Sequence, residues 1–219
     1  MRARLIRVAS LACLIALGAG CVAPKTVDYA AYKQAHPQSI LVLPPVNESP
    51  DIKATYSVMS QVTYPLAESG YYVLPVALVD ETFRQNGLQT PDDIQAVPPE
   101  KLYQIFGADA GLYVKVSQYG TTYMVISSAT VVTATARLVD LKTGTTLWTG
   151  TATASSEEGG NSNAGGLVGM LITAAIKQII NTSTDAGYPI AGVTSQRLLS
   201  AGQNAGLLYG PRSPKYGTD

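Results

Sequence analysis

Cys13, Cys21 and His36 supply all the thiol and imidazole chemistry in 219 residues. A serine hydrolase needs a base that orients and deprotonates its nucleophile. Ser127 and Ser128 have none nearby, because His36 lies in a polar stretch far away in the sequence. Asp92-Asp93 and Glu157-Glu158 are adjacent acidic pairs. A glycosidase needs two carboxylates facing each other across a cleft, and neighbours on a helix start or a loop do not face each other. Gly160 and Gly165 have the four-residue spacing of a phosphate loop, but Gly166 and Leu167 stand where Lys and Ser or Thr are needed. No enzyme is expected, and neither cofactor nor metal.

One reaction remains, acylation of a thiol. Arg2, Arg4 and Arg7 precede the apolar run Val8 to Leu17, and Gly18-Ala19-Gly20 lead into Cys21. This is the layout of a secretory signal with small residues at its cleavage site, and the run is too short to span a bilayer. Cleavage before Cys resembles the bacterial lipobox, in which the new amino-terminal Cys carries acyl chains. Leu17 lies four residues before Cys21, one further than in that pattern. Cys13 leaves with the signal, so Cys21 is the only Cys of the mature chain and no internal disulfide can form. Several acyl chains exceed what stable anchoring requires. Val22 stands where lipoproteins held at the inner membrane resemble one another in carrying Asp, so the expected location is the periplasmic face of the outer membrane.

The whole chain has 15 basic and 15 acidic residues; without the three signal arginines, 12 basic face 15 acidic, a net charge of −3. Such a body has no electrostatic attraction for nucleic acid or anionic lipid. At 46% hydrophobic residues the chain is too apolar for a disordered polymer, and its length suits one domain.

The elements that position these residues follow from periodicity. Residues 1–20 read as signal and residues 21–39 as a lipidated tether containing His36, since no apolar period is sustained there. Ile40 to Leu43 forms a buried strand stopped by Pro44-Pro45. Ser49-Pro50-Asp51 reads as a helix start, with Val58, Val62 and Leu66 on its apolar stripe, Pro65 in its last turn and Gly70 at its end. Tyr71 to Leu74 is a second strand. Helices follow over Val76 to Asn86, with Leu78, Val79 and Phe83 toward the sheet, after Thr90, and after Pro98-Pro99, with Leu102, Ile105 and Phe106 on the buried side. The second half carries three Val/Thr/Tyr-rich strands, Leu112 to Tyr119, Tyr123 to Asp140 and Thr145 to Ala154, joined by the turn Asp140 to Gly144. In the middle strand Val132, Ala134, Ala136 and Leu138 share one face while Thr133, Thr135 and Arg137 share the other. The expected fold is therefore α+β: a mixed sheet of about five strands, β-α-β-α first and antiparallel second, with helices packed on one face. Residues 40–201 form the domain, with a short helix at Ile190 to Ser200, and residues 202–219 a disordered tail.

Three features suit contact with a partner or a second copy. Thirteen Tyr against two Phe favour half-wet aromatic surfaces, and Tyr119 and Tyr123 are the leading candidates. Gly165 and Gly169 form a small-xxx-small step beside the apolar run Leu167 to Ile180.

The stretches ILVLPPVN (40–47), PLAESGYY (65–72), FGADA (106–110) and ARLVDLKTG (136–144) together resemble a family of bacterial lipoproteins first noticed as a genome-derived neisserial antigen. The resemblance covers residues 38–181. It implies a fold like the amino-terminal domain of TolB, and a setting like that of lipoproteins accompanying a CsgG-like outer-membrane secretion component. It brings no catalytic residues. The expected function is a non-enzymatic outer-membrane lipoprotein that docks within an envelope assembly or secretion system, as a homo-oligomer or beside a CsgG-like lipoprotein; the alternative is a carrier for a lipid or another small envelope ligand.

Overall fold

The computed structural model describes residues 27–123, 128–158 and 185–219. The signal, Cys21, the Gly-rich segment, Gly165, Gly169 and the run Leu167 to Ile180 all lie outside the described residues, as does the side chain of Tyr123.

Among the described residues the elements follow in order: α1 (Ala30–Ala35), β1 (Ser39–Val42), β2 (Val46–Asn47), α2 (Ala54–Gln61), α3 (Thr63–Glu68), β3 (Tyr72–Val73), α4 (Val76–Gln85), α5 (Pro91–Gln95), α6 (Pro99–Phe106), β4 (Ala110–Tyr123), β5 (Ser128–Asp140), β6 (Thr146–Ser155) and α7 (Gly187–Leu199). One six-stranded sheet runs β3-β1-β4-β5-β6, with β2 paired to β4. β1 is parallel to β3 and β4, whereas β4, β5 and β6 are antiparallel. The α+β class and the division into a β-α-β-α half and an antiparallel half are as expected.

β2 is the added strand. Pro44 and Pro45 have no N–H to donate, so β1 stops; pairing with β4 resumes at Val46 opposite Lys115. The helix start also differs from expectation. Ser49 Oγ donates to Asn47 Oδ1 at 2.7 Å, and Asp51 Oδ1 accepts from the Lys53 N–H at 2.9 Å, so an Asx turn at Asp51 leads into α2, which begins at Ala54 and not at Pro50. The helical run divides at Val62 into α2 and α3, three residues before Pro65, which cannot donate back along the helix. Thr90 caps α5 as its sequence demands, accepting from the Asp93 N–H at 3.2 Å.

The main core joins Ile40, Val42, Leu112, Val114, Val132 and Leu138 of the sheet to Val58 of α2, Val62 at the break, Leu66 of α3 and Ile190 and Leu199 of α7. Thr194 Oγ1 of α7 donates to Val132 O at 3.1 Å, tying that helix to β5. On the reverse side a smaller cluster gathers Leu41, Leu43, Tyr113 and Leu141 with Val79, Phe83, Ile94 and Leu102 of α4 to α6. The antiparallel half thus has helix on one face and open water on the other, where Thr133, Thr135, Thr149, Thr151 and Thr153 stand in rows.

Both ends of the domain are more ordered than the sequence indicates. The tether expected to span 21–39 is folded from Val27 onward: Tyr32 of α1 is buried in the main core and His36 closes α1 in the left-handed conformation. The tail expected to fray lies against the body. Leu207 and Leu208 are buried, Gly210 N–H donates to Ser69 O at 2.8 Å, and Arg212 N–H donates to Gly70 O at 3.1 Å. Scattered glycines and prolines hide these anchors from periodicity, because two buried leucines and a few backbone bonds set no repeat.

Candidate interaction surfaces

A bulge places Tyr119. Val116 pairs with Ala134 but Gln118 pairs with Thr133, so Ser117 is an extra residue and both Val116 and Tyr119 point into the main core. The Tyr119 phenol donates to Ser57 Oγ at 2.8 Å and lies 3.2 Å from both carboxylate oxygens of Asp185. Burial and then the neighbouring Asp185 charge push its ionisation well above the ordinary phenol range, while the Ser57 bond opposes them. Gly187 opens α7 against this ring, where an added Cβ would meet the Tyr119 ring at 2.5 Å. With 5% of its surface exposed, Tyr119 is a packing residue and offers no free face to a partner. This corrects the sequence-based assignment. From Thr121 to Tyr123, β4 pairs with β5 beyond the last residue of β6.

The two termini form a clasp. Tyr71 donates to Leu208 O at 2.6 Å, and the Tyr32 hydroxyl therefore donates to Tyr71 Oη at 2.6 Å. Burial is the main reason both phenols ionise only far above their usual range. Tyr29 donates to Gly206 O at 2.6 Å, His36 Nδ1 lies 2.8 Å from Tyr216 Oη, and Lys33 Nζ donates to the Asp219 backbone oxygen at 3.1 Å. A cavity of about 320 Å³ opens among Tyr32, Tyr71, Tyr209, Tyr216, Lys33 and His36. No sequence motif announces it, since its tyrosines come from segments some 180 residues apart. His36, read as solvated in a tether, is instead one of its walls.

The β3 edge presents a different surface. A groove of about 440 Å³ runs between Ser39, Tyr72, Leu74, Leu78, Thr82 and Phe106. Leu78 is 66% exposed, Tyr72 45% and Ile105 51%, although the sequence pattern assigns Leu78 and Ile105 to the sheet-facing side of their helices. Below it, Asp109 joins β1 to β4: Ser39 Oγ and the Gln38 N–H donate to Oδ2 at 2.9 and 3.1 Å, and Lys142 Nζ donates to Oδ1 at 3.3 Å. Burial alone would raise this carboxyl, but the bonds from Gln38, Ser39 and Lys142 outweigh it and hold it below the ordinary range.

At the opposite edge β6 has no charged residue along Thr146–Ser155. Arg197 of α7 donates to Thr153 O at 2.8 Å and pairs with Glu158 at 2.6 Å, which covers part of the open ladder. Trp148 lies flat beside this edge, its indole N–H donating to Ala205 O at 3.0 Å. Only glycine fits at position 150, because an added Cβ would stand 2.3 Å from the Trp148 ring. Val27, Asp28, Thr149, Thr151, Arg197 and Gln203 border a groove of about 550 Å³ there. Among the described residues no group of three or more His, Cys, Asp or Glu could hold a metal ion, and no helix is long and apolar enough to cross a membrane.

Residues 27–212 match the family described as "Putative lipoprotein GNA1162-like". The chain belongs to the GNA1162-like lipoprotein family. It is 49% identical over 204 residues to "Putative lipoprotein NMB1124/NMB1162" of Neisseria meningitidis serogroup B (strain ATCC BAA-335 / MC58), an alignment covering 92% of this chain and 94% of that protein. The crystal structure of Lipoprotein GNA1162 from Neisseria meningitidis is 53% identical, covers 66% of this chain and 99% of its own, and superposes with a TM-score of 0.54. A PelC dodecamer from Paraburkholderia phytofirmans is similar at 16% identity, over 74% of this chain and 86% of that one, with a TM-score of 0.41. The GNA1162-like match begins at Val27 and ends at Arg212, so it takes in both α1 and most of the clasped tail.

Proposed function

We propose that this protein is a non-enzymatic lipoprotein, anchored through Cys21 at the periplasmic face of the outer membrane, that docks onto an envelope assembly or secretion component. The observation that carries the proposal is membership of a lipoprotein family, joined to a Cys that directly follows a signal-like leader. The β3-edge groove supports docking as the mode of action, because exposed Leu78 and Tyr72 stand with Leu74 and Phe106 around one groove. The TolB-like and CsgG-like setting rests on the sequence resemblance, and a second copy of the chain is the other partner considered. Tyr123, Gly165 and Gly169 remain contact candidates for such an assembly.

Native mass spectrometry of the full-length protein, extracted from membranes after mild crosslinking, tests the proposal. A defined oligomer or a complex with another envelope lipoprotein is expected; bare monomer removes the docking reading. The tyrosine-lined cavity at the clasp favours one second reading, a carrier for a small envelope ligand. A monomer carrying a bound small molecule in the same spectrum moves the carrier into first place.

A further inference from the structure

The clasp changes the geometry of anchoring. A free segment from Cys21 to Ser39 would reach about 60 Å when extended, enough to let a domain face the membrane in any orientation. Because the body is folded from Val27, only residues 22–26 separate it from Cys21. Six residue steps span at most about 20 Å, whereas a compact body of this length is about 40 Å across. A leash half as long as the body is wide cannot reach around it.

We infer that the β6-edge face, where Val27 and Asp28 adjoin Thr149, Thr151, Arg197 and Gln203, is held against the lipid bilayer surface, and that the α4 face points away from it. This rests on the reading of Cys21 as the acylated residue. The composition of the face fits apposition without insertion. Its charges are Asp28 and the ion pair of Arg197 with Glu158, its other exposed side chains are Thr149, Thr151, Gln203, Asn204 and the small Ala205, and none of the large exposed apolar residues of the described chain lies on it. A near-neutral hydroxyl and amide surface can lie beside headgroups without a desolvated charge and without burying apolar area in the acyl region. The β6 ladder there is turned from bulk periplasm toward the membrane. The β3-edge groove, with Leu78 of α4, is left accessible to a protein partner.

The mature chain has Cys21 as its only thiol, so an introduced cysteine is a unique probe wherever Cys21 is acylated. Thr149→Cys and Gln203→Cys on the near face, and Gln85→Cys on α4, are each labelled with a fluorophore in the full-length lipidated protein. Each is then reconstituted into phosphatidylethanolamine vesicles carrying a headgroup-linked quencher. Quenching is expected to be several-fold stronger at positions 149 and 203 than at 85. Equal quenching at the three positions, or stronger quenching at 85, would overturn the orientation. Inserting twenty Gly/Ser residues between Thr26 and Val27 is expected to abolish the difference; its persistence would show that the leash is not its cause. The unsubstituted protein distinguishes failure of the anchor reading, because labelling of Cys21 itself means that this thiol is not acylated.

Discussion

The two edges of the sheet solve the same problem in opposite ways. An edge strand presents unpaired backbone groups that invite another chain. At β6 the strand is long and uncharged, and Arg197 and the clasped tail stand along it. At β3 the strand is only two residues long, and the surface beside it is apolar, with Leu78 and Ile105 turned to solvent. Under the anchoring and docking proposed above, the long polar edge is the membrane-facing side and the short edge beside the groove is the partner-facing side. The contrast teaches that docking of the proposed kind would use side-chain surface and not the open ladder.

The two faces of β5 give the largest expected effect. Leu138→Ala, on the fully buried face, should lower unfolding free energy by about 2–5 kcal/mol in urea titration. Thr135→Ala, on the open face, should change it by less than about 0.5 kcal/mol; comparable losses at the two positions would mean that the open face is covered. Next in size, Gly187→Ala places a methyl against the Tyr119 ring and should cost about 1–3 kcal/mol. Tyr119→Phe, which keeps the ring and loses the bond to Ser57, should cost about 1 kcal/mol.

Buried phenols also give the fold a pH signature. Burial raises the folded ionisation of Tyr32 and Tyr71 above the ordinary phenol value of about 10, so the protonated form belongs to the native state. Their contribution is fully present below pH 10 and is lost as pH rises above it, because the unfolded chain then releases protons that the native chain retains. Equilibrium unfolding across that range should show falling stability, with a shallower fall for Tyr71→Phe. At the acid end Asp109 acts in the opposite sense: its lowered ionisation gives stability that is present above the ordinary carboxylate value and lost as pH falls below it. Asp109→Asn should flatten that acid limb. The smallest expected effect is at the covered edge, where Arg197→Ala should cost about 1 kcal/mol or less, since the guanidinium is partly solvated.

The sheet was legible wherever a face repeats. Val132 to Leu138 alternate with Thr133 to Arg137, and this pattern located the antiparallel half and its open side. Compact apolar runs and proline stops located β1 and β3. What stayed hidden depends on single residues with no period. The extra residue Ser117 shifts Tyr119 from a supposed contact into the core, and a two-residue strand after Pro44-Pro45 is too short to alternate. The clasp joins Tyr32, Tyr71 and Leu208, whose proximity follows from the completed fold and not from local sequence. The same reason explains the candidate surfaces. Leu78 and Ile105 look like core residues on a helical wheel, yet both are exposed, Leu78 beside the short β3 edge.

Site-specific photocrosslinking in intact membranes tests the division into two sides most directly. A photoreactive residue at position 78 should yield a protein adduct of defined mass, and one at position 149 should yield lipid adducts. A lipid adduct at 78 together with a protein adduct at 149 would contradict the account.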